Sequence, residues 1–414
     1  MNTTPSGSPD TGKGRSGGFG KWVGWLGPGF ITAALVLGPG SITISSTLGA
    51  SFGYSLLWVI LISTIFMITF VGMSIRISLA TDCSLLTTIR EKWGNPVAVI
   101  IGIGIFLVTA SFQAGNAVGA GLAFSELSDT HITPWIITFS LASISLLYFK
   151  QFYKILEKLM LVLVGVMLLS FLGTLIIVKP SLSGITGGLV PAIPSGSLML
   201  AVALVASSFS MGGAFYQSYL VKEKKWKREE HKQAKYEGVS GIAVLGLISA
   251  IILICAATVL QPLDITITSA ADMGLAIEPL FGGLATTLFM MGLFGASFSS
   301  LIGNATVGGT LLSDALGFGS RLSDRNTRLF IMAVMIIGAI VAVWFGGIPI
   351  DLIVFAQGVT IFVVPFVGII LYMTAANKEI VGEFHNSTRS NIFGFLGLLF
   401  LITLAFMNAK ALFF

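Results

Sequence analysis

Charged residues make up only 10% of the 414 positions, against about a quarter in ordinary soluble domains, and this scarcity excludes a water-soluble globular protein. Cysteine occurs twice, at Cys83 and Cys255, too few for a disulfide framework or a cysteine-built metal site; both are expected to be packing residues. Histidine occurs three times, at His131, His231 and His385, each outside the long apolar runs. No Ser/His/Asp, Cys/His or metal-ligand constellation stands out, so neither an enzyme nor a cofactor is expected. Segments of alternating polarity are missing as well, which excludes a transmembrane β-barrel.

What is present is apolar sequence, with 55% hydrophobic residues and a mean hydropathy of +0.94. A helix of ~20 apolar residues crosses about 30 Å of hydrocarbon. Such runs recur at 28–48, 56–79, 96–113 continuing toward 122, 135–148, 156–178, 198–221, 239–260, 280–312, 329–345, 352–374 and 392–407. The expected fold is an all-α integral membrane protein of about eleven transmembrane helices. The eighth run is too long for one straight crossing. With the N-terminus cytosolic and the C-terminus outside, all but Lys179 and Lys410 of the 23 Lys and Arg residues fall on the cytoplasmic side, where short loops retain positive charge. The basic run from Lys222 to Lys235 is read as a topology-fixing loop in preference to an anionic-lipid contact, and the net charge of +5 needs no nucleic-acid partner.

Residues 1–21 form a polar, Gly/Ser/Pro-rich stretch expected to be a disordered cytosolic tail, 22–407 a single domain in the cell membrane, and 408–414 a short tail. Glycine, at 49 of 414 positions, lies largely inside the spans, where small residues let helices approach. Two sites read differently. Gly38-Pro39-Gly40-Ser41 puts a proline and two glycines in the middle of the first span, and Ser210-Met211-Gly212-Gly213 puts a flexible pair at similar depth in the sixth. Proline lacks a donor and clashes with the preceding turn, and unwound backbone within a membrane is tolerated only where protein or a cavity satisfies it. Interruptions five spans apart suggest two five-helix repeats of inverted topology, about 22–180 and 195–376, with an extra helix at 390–407. That is the architecture of a secondary transporter, with its substrate held at the breaks.

The stretch Gly27-Pro28-Gly29-Phe30, Gly38-Pro39-Gly40-Ser41 and Phe52-Gly53-Tyr54 with Leu56-Leu57-Trp58 resembles the start of Nramp-family divalent-metal transporters. Gly295-Ala296-Ser297-Phe298-Ser299-Ser300-Leu301-Ile302, with Gly308 to Leu312, is similar to the family's pattern around the eighth span. The resemblance covers residues 22–407 and implies a LeuT-like fold and divalent metal transport. It also implies departures at the site. The family's first break reads Asp-Pro-Gly-Asn, its Asp and Asn being metal ligands, where this chain has Gly38 and Ser41. The family's sixth-helix Met-Pro-His falls, without gaps, with methionine at Ser210 and histidine at Gly212, while a shift of one residue restores Met211 as a sulfur ligand. The acidic pair tied to proton passage corresponds to Gln113 and Asn116. A tenth-span glutamine corresponds to Val363, with Gln357 nearby.

Independently of the family, no carboxylate or imidazole lies at the centre of any run, where cation sites and proton relays usually need one. No metal-ligand set is therefore assigned. Two substrate classes remain: a hydrated cation such as Mg²⁺, touched through its water by Ser41, Ser210, Asn116 and Gln113, or a small polar or anionic solute held by the N–H groups at the start of the second half of span one. A non-transporting homologue is a third reading. The candidate substrate residues are Gly38, Pro39, Gly40, Ser41, Ser207, Ser210, Met211, Gly212 and Gly213, with Gln113, Asn116 and Gln357 as a polar pathway.

Overall fold

The computed structural model describes residues 27–263, 265, 267, 270–345 and 350–413, and within them the regular structure is helical. The first apolar run forms two helices, α1 (Pro28–Val36) and α2 (Pro39–Phe52), bent by 62° at Leu37 and Gly38. Next come α3 (Leu57–Ala80), the short α4 (Leu85–Trp93), α5 (Asn95–Ser128), α6 (Ile132–Leu146), α7 (Phe152–Val178) and α8 (Leu182–Gly188). The sixth run is again divided, into α9 (Leu198–Ser208) and α10 (Met211–Lys224). The remainder comprises α11 (His231–Val259), α12 (Ala270–Phe281), α13 (Gly283–Ala315), α14 (Arg325–Phe345), α15 (Ile350–Ala376), α16 (Lys378–Val381) and α17 (Thr388–Phe413).

Among the described residues eight helices are long and apolar enough to cross a membrane, and two bent pairs bring the figure to ten. The shorter apolar helix α6 supplies a helix at the one expected position left over. The long eighth run forms from Gly283 onward a single helix, α13, of 33 residues, the run's first two residues belonging to the end of α12. Outside the expected spans lie the short α8 and α16 and two longer helices, α4 and α12. α4 starts at Ser84, whose hydroxyl accepts the N–H of Thr87 at 3.1 Å, and ends at Gly94, whose φ of +90° suits glycine at the turn into α5. α12 occupies a stretch expected to be a loop.

Apolar side chains gain little by leaving lipid for one another, so close backbone approach has to hold such a bundle. The most extensive helix pair is α5 with α13. A Cβ on Gly119 of α5 would come within 2.5 Å of Ser297 Oγ and 2.6 Å of Pro39 Cβ, and one on Gly303 would strike Leu35. α1 meets α11 in the same way: a Cβ on Gly29 would lie 2.6 Å from Gly238 Cα. These glycines draw α1 and α2 into the centre, between α5, α11 and α13.

Candidate substrate site

The first break is two residues long. Leu37 and Gly38 leave the helical path, and Pro39 starts α2, where a missing N–H costs nothing. A helix end strands its last carbonyls and the next helix its first N–H groups. Two of the carbonyls are taken up by α13: Ser299 Oγ donates to Ala34 O at 2.8 Å and Ser300 Oγ donates to Leu35 O at 3.1 Å. The carbonyls of Val36 and Leu37 and the N–H groups of Gly40 and Ser41 have no partner among the described residues. A bilayer offers no water for these groups, so they constitute a polar spot available to a substrate.

Asn116 closes one side of this spot. Its amide Nδ2 donates to the carbonyl of Ser300 at 3.3 Å, and the side chain is 3% exposed. Its Oδ1 lies 3.0 Å from where a Cβ on Gly38 would stand, and Ser300 Oγ lies 3.2 Å from the same point. Gln113, one turn earlier, donates Nε2 to Leu301 O at 2.6 Å and leaves Oε1 buried without a partner. Its stem packs against Gly338 of α14. Ser297 Oγ is also buried and unpartnered.

The sixth span is interrupted at Phe209 and Ser210, ahead of the expected glycine pair Gly212 and Gly213, and it does not bend as sharply as the first. Ser210 caps α10, its hydroxyl accepting the N–H of Gly213 at 3.1 Å. Gly212 and Gly213 lie inside α10, where the glycines serve packing: a Cβ on Gly213 would come within 2.8 Å of Val36 Cγ2, and Gly212 faces Ile105 and Val307. Met211 is buried, and its sulfur sits beside Gly368 of α15. Ser207 donates to its own helix at Leu204 O, 2.9 Å away.

The structure thus gathers Gly38, Pro39 and Asn116 at one spot and sets Gly213 against the end of α1. Gly40 and Ser41 occupy the first turn of α2. Ser207 is satisfied locally. The side chain of Gln357 lies outside the described residues. Among the described residues no group of three or more His, Cys, Asp or Glu is placed to hold a metal ion, so the oxygens at the spot come from carbonyl, amide and hydroxyl groups.

Sequence reasoning missed Ser299 and Ser300, whose hydroxyls replace helix bonds, and Glu237. The latter stands just ahead of the expected seventh span but lies in α11, 5% exposed, and accepts N–H groups of Gly27 at 2.9 Å, Gly29 at 2.8 Å and Phe30 at 3.2 Å. It thereby caps α1. Nearby, Lys224 pairs with Glu157, and Thr32 donates to Gln217 to tie α1 to α10. No spacing pattern announces Glu237, because its partners are some 210 residues away.

Comparison with known proteins agrees with this fold. The divalent metal cation transporter MntH of Staphylococcus aureus (strain JH9) is 26% identical over 402 residues, 91% of this chain and 89% of the relative. The manganese transporter of Eremococcus coleocola, solved with an aromatic bis-isothiourea substituted compound, superposes with a TM-score of 0.75 at 19% identity, covering 97% of this chain and 89% of that one. MHP1, a nucleobase-cation-symport-1 family transporter, superposes at 0.57 with 14% identity over 93% of each chain. The shared fold is LeuT-like. Residues 29–409 match the family described as natural resistance-associated macrophage protein-like, and the chain belongs to the Nramp family of multi-pass membrane transporters.

Proposed function

We propose that this chain is a secondary transporter of divalent cations whose site offers neutral oxygens where carboxylates would ordinarily serve, so that it takes a hard cation such as Mg²⁺ in preference to Mn²⁺ and without proton coupling through positions 113 and 116. The observation that carries this reading is the composition of the spot at Gly38. Its nearest side-chain oxygens belong to Asn116 and Ser300, and the carbonyls of Val36 and Leu37 are free. Hard cations accept such oxygens and keep part of their water, whereas sulfur or imidazole favours transition metals. Met211, the thioether at the start of α10, rests on Gly368. Neither amide at positions 113 and 116 can carry a proton as a carboxylate does.

The reading includes two inverted halves, about 22–180 and 195–376, with the last helix outside the repeat, and an orientation that puts Arg90, Lys222 and Arg328 in the cytosol. Family membership supports divalent cations as the substrate class, since the Staphylococcus aureus relative is a divalent metal cation transporter and the Eremococcus coleocola protein a manganese transporter.

The test is uptake of Mg²⁺ and of Mn²⁺ into proteoliposomes, each read by an enclosed dye across a concentration series. Saturable Mg²⁺ uptake with Mn²⁺ a weaker substrate is expected. Tighter Mn²⁺ uptake would refute the selectivity. A flat response to both would refute cation transport and turn attention to solutes that use the free N–H groups of Gly40 and Ser41.

A further inference from the structure

We infer, resting on the cation reading above, that the principal side-chain ligands of the cation are Asn116 Oδ1 on α5 and Ser300 Oγ on α13, and that glycine at position 38 is what admits them. Three observations converge. A Cβ on Gly38 would lie 3.0 Å from Asn116 Oδ1 and 3.2 Å from Ser300 Oγ, so both oxygens lean on the break where a larger residue would push them back. Second, the donor capacity of both groups is directed elsewhere. The Asn116 amide donates to Ser300 O and the Ser300 hydroxyl donates to Leu35 O, which leaves lone pairs toward the break. Third, Asn116 Oδ1 is inside the protein and has no hydrogen-bond donor among the described residues.

An acceptor inside a protein without a donor costs free energy unless a ligand meets it, and Asn116 Oδ1 stands with Ser300 Oγ at the break, next in the chain to the free carbonyls of Val36 and Leu37, as a cluster of acceptors. Such a set suits a hard cation. In this arrangement the binding side chains stand on the third and eighth spans, and span one contributes backbone. A carboxylate introduced on span one at position 38 therefore has to displace the ligands it is meant to join.

The test uses Mn²⁺ as a probe, because free Mn²⁺ gives an EPR signal that is lost on binding. The full-length purified protein is titrated as wild type, Asn116→Asp, Gly38→Asp and Asn116→Asp/Ser300→Ala, with thermal unfolding to establish that each is folded. Asn116→Asp places charge on an oxygen that already faces the break and is expected to tighten Mn²⁺ about tenfold or more, since ligand charge sets affinity at such sites. Gly38→Asp is expected to gain less than about threefold, and adding Ser300→Ala to Asn116→Asp to forfeit about threefold, the worth of one polar contact. No gain from Asn116→Asp, a gain indifferent to Ser300→Ala, or a larger gain from Gly38→Asp would overturn the assignment. Should Gly38→Asp fail to fold, the comparison of Asn116→Asp with and without Ser300→Ala still decides. Because the readout is binding by a carboxylate variant, a wild type that moves no divalent cation would remove the transport reading and leave this test valid.

Discussion

The carboxylate of Glu237 does for α1 what no residue of α1 can do. A helix that begins Gly-Pro-Gly-Phe has no side-chain cap of its own, and the carboxylate from α11 takes three of its N–H groups. Charged acceptors strengthen such bonds, and orphaned donors are costly once buried. Glu237→Ala is expected to lose on the order of 3 kcal/mol of stability, seen as a lower midpoint of thermal unfolding in detergent, while Glu237→Gln retains an acceptor and loses about half of that. Equal midpoints for wild type and Glu237→Ala would disprove the capping role. Asn116 and Gln113 were legible in the sequence through the family resemblance, which sets them at the positions of its acidic pair. Ser300 was not, since most buried serines only bond their own helix, and its reach to Leu35 depends on how α13 packs.

The broken element is stabilised by its neighbour more than by its own sequence. Ser299 and Ser300 replace helix bonds lost at the end of α1, and Gly119 makes room for Pro39 at the start of α2. Ser299→Ala removes one buried hydrogen bond and is expected to cost about 1 kcal/mol. Gly119→Ala forces a methyl group against Pro39 and Ser297 and is expected to cost more, about 1–3 kcal/mol. The two midpoints measured side by side check the order, and a Gly119→Ala protein as stable as wild type would show that α5 and α2 do not pack this closely. The first break was legible from Pro39 and its two flanking glycines, because proline cannot continue a helix. The second was read too late in the chain, since Gly212 and Gly213 looked flexible but are held inside α10 by contact with neighbouring helices, and the break falls at Phe209 and Ser210. α4 and α12 escaped a search for spans because both are too short to cross a membrane.

Across the whole molecule, the end that carries the basic loops is held by polar contacts between distant segments. Tyr219 of α10 donates to Asp314 Oδ2 at 2.6 Å, Glu223 accepts the N–H of Leu322 at 2.8 Å, Lys222 donates to Thr81 O, and Arg228 donates to Ala80 O at 2.9 Å. The proposed orientation puts this end in the cytosol. In a protein freed of Cys83 and Cys255, a Lys225→Cys residue is expected to react with an impermeant thiol reagent only from the cytoplasmic side and a Lys179→Cys residue only from the outside. The reverse pattern would invert the topology. The succession of apolar helices follows from composition and periodicity, whereas these ties join residues far apart in the chain and exist only in the folded bundle. The central claim is that a divalent cation crosses through a site without a carboxylate and without a companion proton. Its most direct test is simultaneous measurement of Mg²⁺ entry and internal pH in proteoliposomes held at a negative-inside potential. Entry that saturates with Mg²⁺ while the internal pH stays level is the predicted result, and acidification that rises and saturates with Mg²⁺, or no entry at all, would contradict it.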